Sequence, residues 1–278
     1  MTFVGKTIEL ATGVRLPFVE QGDPSGIPVL LLHGVTDSWR SFEPVLPYLP
    51  RSIHAIALTQ RGHGGASRPE SYRTRDFAAD LSAFAVAFGL GPAVIVGHSM
   101  GSTNALRFAI DYPSRTLGLV LASSFASYRG NPAVAEFWTS GVSQLTDPVD
   151  VTFVRGFQES TLAQPVPGAF LDIVVQESLK VPARVWRAAF EGFLEDDFVR
   201  DLGQIKAPAL ILWGNKDSLC CRADQQALLE AIAGSRLIVY DGAGHALHWE
   251  EPKRFAEDIA AFVKAIASKR VRESSTPS

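Results

Sequence analysis

Short apolar runs rich in β-branched residues alternate along this chain with longer stretches in which apolar residues recur every three to four positions. Such alternation marks a parallel sheet covered by helices on both faces, because a buried parallel strand has no polar face whereas each covering helix keeps one. The fold class expected is therefore α/β. Residues 29–32, 53–58, 93–96, 117–121, 209–213 and 237–240 are expected as buried strands, and 75–88, 102–111, 222–233 and 252–267 as helices. Tyr112-Pro113 closes the second of these helices, since proline disfavours helical geometry in the residue before it. Residues 7–10 and 14–20, joined by Ala-Thr-Gly, read as an amino-terminal hairpin.

The alternation breaks at 124–202, where no buried strand is expected. Residues 132–145, 149–162, 168–179 and 183–193 instead carry helical spacing, separated by Asp-Pro, Gln-Pro-Val-Pro and Val-Pro breakers. The reading is one core, 1–123 and 203–270, interrupted by a helical cap at 124–202 and followed by a flexible tail at 271–278, the polarity that suggests the tail beginning at Ser268. The inserted segment is dense in rings: Phe125, Phe137, Trp138, Phe153, Phe157, Phe170, Trp186, Phe190 and Phe193. Most are expected to pack it onto the sheet, and the rest to wall an apolar pocket.

Chemistry enters at Ala93 to Gly101, Ala-Val-Ile-Val-Gly-His-Ser-Met-Gly, where an apolar strand stops at Ser99 and a helical pattern starts at once. A strand that turns into a helix within one residue crowds the backbone on both sides, and Gly97 and Gly101 supply the small residues such a turn needs. Ser99 is thus a candidate nucleophile on a strained corner. A serine hydroxyl needs a base and an acid to orient that base. Asp217 follows the strand at 209–213 and His245 the strand at 237–240, so all three lie at the carboxyl edge of the sheet, in the chain order Ser, Asp, His. His248 is a rival base, but Gly242 and Gly244 permit the sharp loop that aims His245 inward. Asp241 is a rival acid that reads better as a turn former, and Ala122-Ser123-Ser124-Phe125 offers no carboxylate. The oxyanion donors expected are the N–H groups of Met100, at a helix start, and of Val35, after the turn allowed by Gly34.

Composition narrows the partners. In 278 residues, 46% hydrophobic and 20% charged with a net charge of -3, nothing draws the chain to nucleic acid or anionic lipid. The start, Met-Thr-Phe-Val-Gly-Lys, lacks the pattern of a secretory signal, and no apolar stretch has the length of a bilayer span, so a cytoplasmic location is expected. Cys220 and Cys221 are adjacent and are expected as reduced thiols, with a pocket role left open by Asp217 nearby. His33, His54, His63 and His98 read as structural, His98 bonding locally inside the fold. No histidine, cysteine and carboxylate spacing resembles a metal site, and Gly62-His63-Gly64-Gly65 lacks the context of a phosphate loop.

Taken together, His33-Gly34, Arg61-Gly62-His63-Gly64, Gly97-His98-Ser99-Met100-Gly101, Gly214-Asn215-Lys216-Asp217 and Gly242-Ala243-Gly244-His245 resemble the α/β-hydrolase fold superfamily over nearly the whole chain. The resemblance implies a triad of Ser99, Asp217 and His245, oxyanion donors at Val35 and Met100, a cap inserted after the sixth strand, and acyl transfer without metal or organic cofactor. The serine sets aside the similar epoxide hydrolases and haloalkane dehalogenases, which use aspartate there. Gly34, Trp39, Phe125, Trp138, Trp186, Leu219 and His248 are the expected pocket residues. A small-molecule ester or lactone is the expected substrate, with amide or carbon–carbon bond cleavage as variants of the same triad. The alternative is a ligand sensor, similar to hormone-receptor members of the superfamily, with slow turnover and a protein partner.

Overall fold

The apolar runs assemble into a single sheet. In the computed structural model, which describes residues 3–197 and 199–274, the strands are β1 (Lys6–Glu9), β2 (Arg15–Gln21), β3 (Ile27–Leu32), β4 (Ile53–Leu58), β5 (Ala93–His98), β6 (Thr116–Ala122), β7 (Ala209–Gly214) and β8 (Arg236–Tyr240). They lie in the order β1-β2-β4-β3-β5-β6-β7-β8. The hairpin strands β1 and β2 are antiparallel, Lys6 opposite Phe18, and β2 runs antiparallel to β4. From β4 onward every pairing is parallel. The helices are α1 (Thr74–Ala87), α2 (Met100–Asp111), α3 (Pro132–Ser140), α4 (Val151–Ser160), α5 (Gly168–Leu179), α6 (Ala183–Glu195), α7 (Arg222–Ala231), α8 (Leu247–Glu250) and α9 (Pro252–Ser274).

Strand periodicity explains why the central strands read as unbroken apolar runs. Leu30, Leu32, Ile56, Leu58 and Ile95 face one way and pack with Phe84, Leu106 and Phe108 of α1 and α2. Their neighbours Val29, Leu31, Ala55, Ala57, Val94 and Val96 face the other way, onto Phe255, Ile259 and Phe262 of α9. With both faces covered, a polar side chain in these strands needs a partner, as His54 of β4 finds in Glu20 at 2.7 Å.

Helices α3 to α6 lie between β6 and β7. They gather their rings into a third cluster around the fully buried Trp186, against which Phe153 and Phe157 pack edge-on at 5.8 and 5.5 Å. The same cluster includes Val35, Tyr72, Phe77 and Met100 from the sheet-bearing part, so the helices sit on the sheet through shared apolar contact. At the carboxyl end the chain departs from expectation: α9 continues to Ser274 rather than fraying from Ser268. Polarity alone does not end a helix, and Ser268-Lys-Arg-Val-Arg-Glu-Ser contains no glycine or proline to break it. The rest of the expected tail, 275–278, lies outside the described residues. Among the described residues no helix is long and apolar enough to cross a membrane.

Candidate active site

The turn from β5 into α2 places Ser99 at φ 52°, ψ −120°, a conformation that L residues rarely adopt. Two close approaches enforce it. A Cβ on Gly97 would lie 2.3 Å from the Gly101 carbonyl oxygen, and one on Gly101 would lie 2.1 Å from that of Leu32. Nothing larger than glycine fits either position.

The loops after β7 and β8 bring Asp217 and His245 together. His245 Nδ1 lies 2.9 Å from Asp217 Oδ2 and 3.1 Å from Oδ1. Asp217 Oδ1 also accepts the backbone N–H groups of Leu219 and Cys220, at 2.8 and 2.9 Å. Burial pushes this carboxyl up, but the His245 charge and hydrogen bond and the two backbone donors outweigh it and hold it below its ordinary value. The Asp217 side chain is sealed from solvent, so the pair forms in a low-dielectric setting where its geometry is held firmly. Ser99 and His245 line one cavity.

The backbone of His245 is held as closely as its ring. Its carbonyl accepts the Ser123 hydroxyl at 2.7 Å and His98 Nε2–H at 3.0 Å. The sequence expectation that His98 bonds locally is therefore not met. It ends β5 on the side of the turn opposite Ser99 and reaches the loop after β8, a partner distant in sequence. Ser123 carries a positive φ of 46° and was legible in sequence only as the absence of an acid after β6. The two rivals have other work: Asp241 accepts Asn215 Nδ2–H at 2.6 Å and closes a turn, and buried His248 pairs its Nε2 with Ser41 Oγ at 3.0 Å.

His33 accepts the Gln60 N–H on Nε2 at 3.0 Å, which leaves Nδ1–H to donate to the Gly34 carbonyl at 2.7 Å. Because a trans peptide opposes its C=O and N–H, anchoring the Gly34 carbonyl also fixes the direction of the Val35 N–H. Among the described residues, neither the Val35 nor the Met100 N–H donates to a protein acceptor, and both residues line the cavity with Ser99.

The buried thiol of Cys220 donates to the Ser123 carbonyl at 3.1 Å and lies 3.8 Å from His245 Nδ1, whereas Cys221 is exposed; both are free. Burial and the Asp217 charge push the Cys220 thiol well up. Asp217, Cys220 and His245 thus bring an oxygen, a sulfur and a nitrogen within 4.8 Å of one another, a set of metal-ligating types that their spacing in sequence did not reveal. The hydrogen bond between Asp217 and His245 already engages two of the three.

The cavity spans about 410 Å³ of space free of protein atoms, counting the part open to solvent, and is walled by Val35, Met100, Phe125, Tyr128, Phe137 and Leu219 with further rings from α4 and α6. Of the expected pocket residues, Phe125 and Leu219 line it, and Gly34 lines a smaller chamber beside it. Trp39, Trp138, Trp186 and His248 line neither. Trp39 packs on Phe3 and under the Arg40 guanidinium. Trp138 stacks on the outside of Phe190, Trp186 is the centre of the helical cluster, and His248 sits beneath His98, ring centroids 4.2 Å apart. Helical spacing shows that a ring is buried but not on which side of a thin helical layer. Tyr128, Val134, Phe137, Phe157, Phe190 and Phe193 take the places of these residues; the four phenylalanines were in the aromatic set read from sequence, and the other two carried no signal.

Beside the site, Asp37 is a buried carboxyl that accepts Gln158 Nε2–H at 3.1 Å and Ser41 Oγ–H at 3.1 Å. Burial raises it to about 7; the two hydrogen bonds lower it and Glu177 adds to the rise. Its acid form is thus favoured by folding, so stability falls as pH rises from the ordinary carboxylate range, near 3.8, to about 7. Asp37→Asn removes this dependence. Thermal melts of the variant and the natural protein are expected to diverge in favour of the variant across that interval, by about 4 kcal/mol at most, and to run parallel above it. Curves parallel throughout would contradict the assignment.

The family model described as "Alpha/beta hydrolase family" matches residues 29–258. The chain belongs to that family. This alpha/beta hydrolase is 27% identical to a 2-(acetamidomethylene)succinate hydrolase of Mesorhizobium japonicum over 95% of its own length and 96% of that protein's. It is 26% identical to lipase 1 of Psychrobacter immobilis, covering 95% of the chain and 86% of the lipase. The solved structure of an esterase from a Rhodococcus species aligns with a TM-score of 0.83 at 25% identity, covering 96% of this hydrolase and all (100%) of the esterase.

Proposed function

We propose that this alpha/beta hydrolase is a serine esterase that cleaves carboxylic esters or lactones of compact, uncharged acyl groups. The observation that carries the reading is the cavity shared by Ser99 and His245: its walls are aliphatic and aromatic, and among the described residues no lysine or arginine lines it. An apolar acyl chain gains by leaving water there, whereas a carboxylate would be buried without a counter-charge. That argues against a dicarboxylate such as the succinate named for one relative, and fits the lipase and esterase relatives.

In the proposed reaction His245, oriented by Asp217, takes the Ser99 proton as Oγ attacks the carbonyl carbon. The N–H groups of Val35 and Met100 receive the oxyanion, Met100 with the added field of the α2 amino terminus. The alcohol leaves with the proton from His245, and water releases the acid. Helices α3 to α6 act as the cap that walls the acyl pocket.

The test is a steady-state comparison of aryl esters of short neutral acids with half-esters of dicarboxylic acids. The neutral esters are expected to be turned over many times per site, with kcat/KM at least about 100-fold above their charged counterparts, the cost of burying one unpaired charge being several kcal/mol. Equal rates, or preference for the charged esters, would overturn the substrate class. A single turnover with no further release would favour the sensor alternative.

A further inference from the structure

A smaller chamber shares Val35, Ser99, Phe157 and His245 with the acyl cavity. It encloses about 240 Å³ of space free of protein atoms, counting the part open to solvent, against about 410 Å³ for the acyl cavity on the same measure. Beside apolar residues, Asp37, His98, Gln158 and Thr161 line it, polar groups that do not line the acyl cavity.

Two polar groups converge on its gap. His98 spends its Nε2–H on the His245 carbonyl, which leaves Nδ1 a bare acceptor, buried and without a hydrogen-bond partner among the described residues. Burial and the neighbouring His245 push the His98 imidazole down to about 3, so that nitrogen keeps its lone pair. A Cβ on Gly34 would lie 3.0 Å from His98 Nδ1 and 3.4 Å from Asp37 Oδ2. The two side chains therefore face one gap that is open because residue 34 has no side chain. A buried acceptor without a partner is costly, and a water bridging it to the carboxyl satisfies both.

We propose that this chamber holds the deacylating water and, through His98 and Asp37 as positioning residues, directs it at the acyl group on Ser99. The inference rests on the esterase reading. The water oxygen bonds to the acyl carbonyl carbon as His245 takes one of its protons. The bond from that carbon to Ser99 Oγ then breaks, Oγ recovers the proton from His245, and the carboxylic acid departs.

The experiment is stopped-flow turnover of a p-nitrophenyl ester of a short neutral acid by the full chain. Gly34→Ala fills the gap, and Asp37→Asn keeps its shape but alters the group facing it; acyl-enzyme is followed by intact mass and methanol is the competing acceptor. In both variants deacylation is expected to slow at least about 10-fold more than acylation, with acyl-enzyme accumulating and the ratio of methanolysis to hydrolysis changing. Equal slowing of both steps, or no change in either, would overturn the proposal. Should Gly34→Ala fail to fold, Asp37→Asn decides by the same criteria. A natural protein inactive on every ester refutes the esterase reading itself, whereas an active one whose variants keep the ratio of the two steps refutes only the chamber.

Discussion

Ser99→Ala is expected to lower ester turnover by at least about 10⁴-fold while leaving the melting transition near that of the natural protein. In the proposed reaction, loss of Oγ removes the atom that forms the acyl bond, and the neighbouring groups are engaged elsewhere: the Cys220 thiol is buried and bonded to the Ser123 carbonyl, and the Ser102 hydroxyl donates to the Ser99 carbonyl at 2.6 Å. The fold is expected to survive because the turn is enforced by Gly97 and Gly101, whose close approaches to backbone do not involve the Ser99 side chain. Purified variant and natural protein, compared for initial rate and for melting temperature, decide it. A variant within ten-fold of the natural rate would remove Ser99 from the chemistry.

Asp217→Asn is expected to cost about 10⁴-fold in kcat at nearly unchanged structure. The reason lies in donor and acceptor inventory. Asp217 receives three N–H groups, from Leu219, Cys220 and His245. An asparagine has one acceptor oxygen, and keeping it on the two backbone donors turns its amide N–H toward His245 Nδ1. That nitrogen must then accept, which places the ring proton on Nε2, where the proposed reaction delivers the proton of Ser99. Substrate KM, set by the apolar walls, is expected to change little. A loss under ten-fold, or a loss confined to KM, would show that Asp217 does not orient the base.

Much of this arrangement was legible in the sequence because it is carried by local rules. Strands with both faces buried are mostly apolar, so residues 53–58 were bounded as they occur in β4, His54 being its one polar side chain. Glycines two before and two after Ser99 announce a turn that only they can make. Asp217 and His245 followed strands whose carboxyl ends must share an edge in a parallel sheet, and they do meet. What escaped depends on contacts between distant segments. The bond from His98 to the His245 carbonyl and the Ser123 hydroxyl that shares it follow from how β5, β6 and the loop after β8 stack, and the orientation of Trp186 away from the cavity follows from its packing on Phe153 and Phe157 of α4. No periodicity encodes that. The end of α9 was missed for a different reason: a polar composition was read as loss of structure, although lysine, arginine and glutamate favour helix.

The most direct measurement is covalent labelling with a small apolar fluorophosphonate, followed by intact mass and peptide mapping. One adduct per chain is expected, on Ser99, with activity lost in proportion to labelling and no adduct formed in Ser99→Ala. Labelling at another residue, or ester turnover that persists in fully labelled protein, would contradict the assignment of Ser99 as the nucleophile.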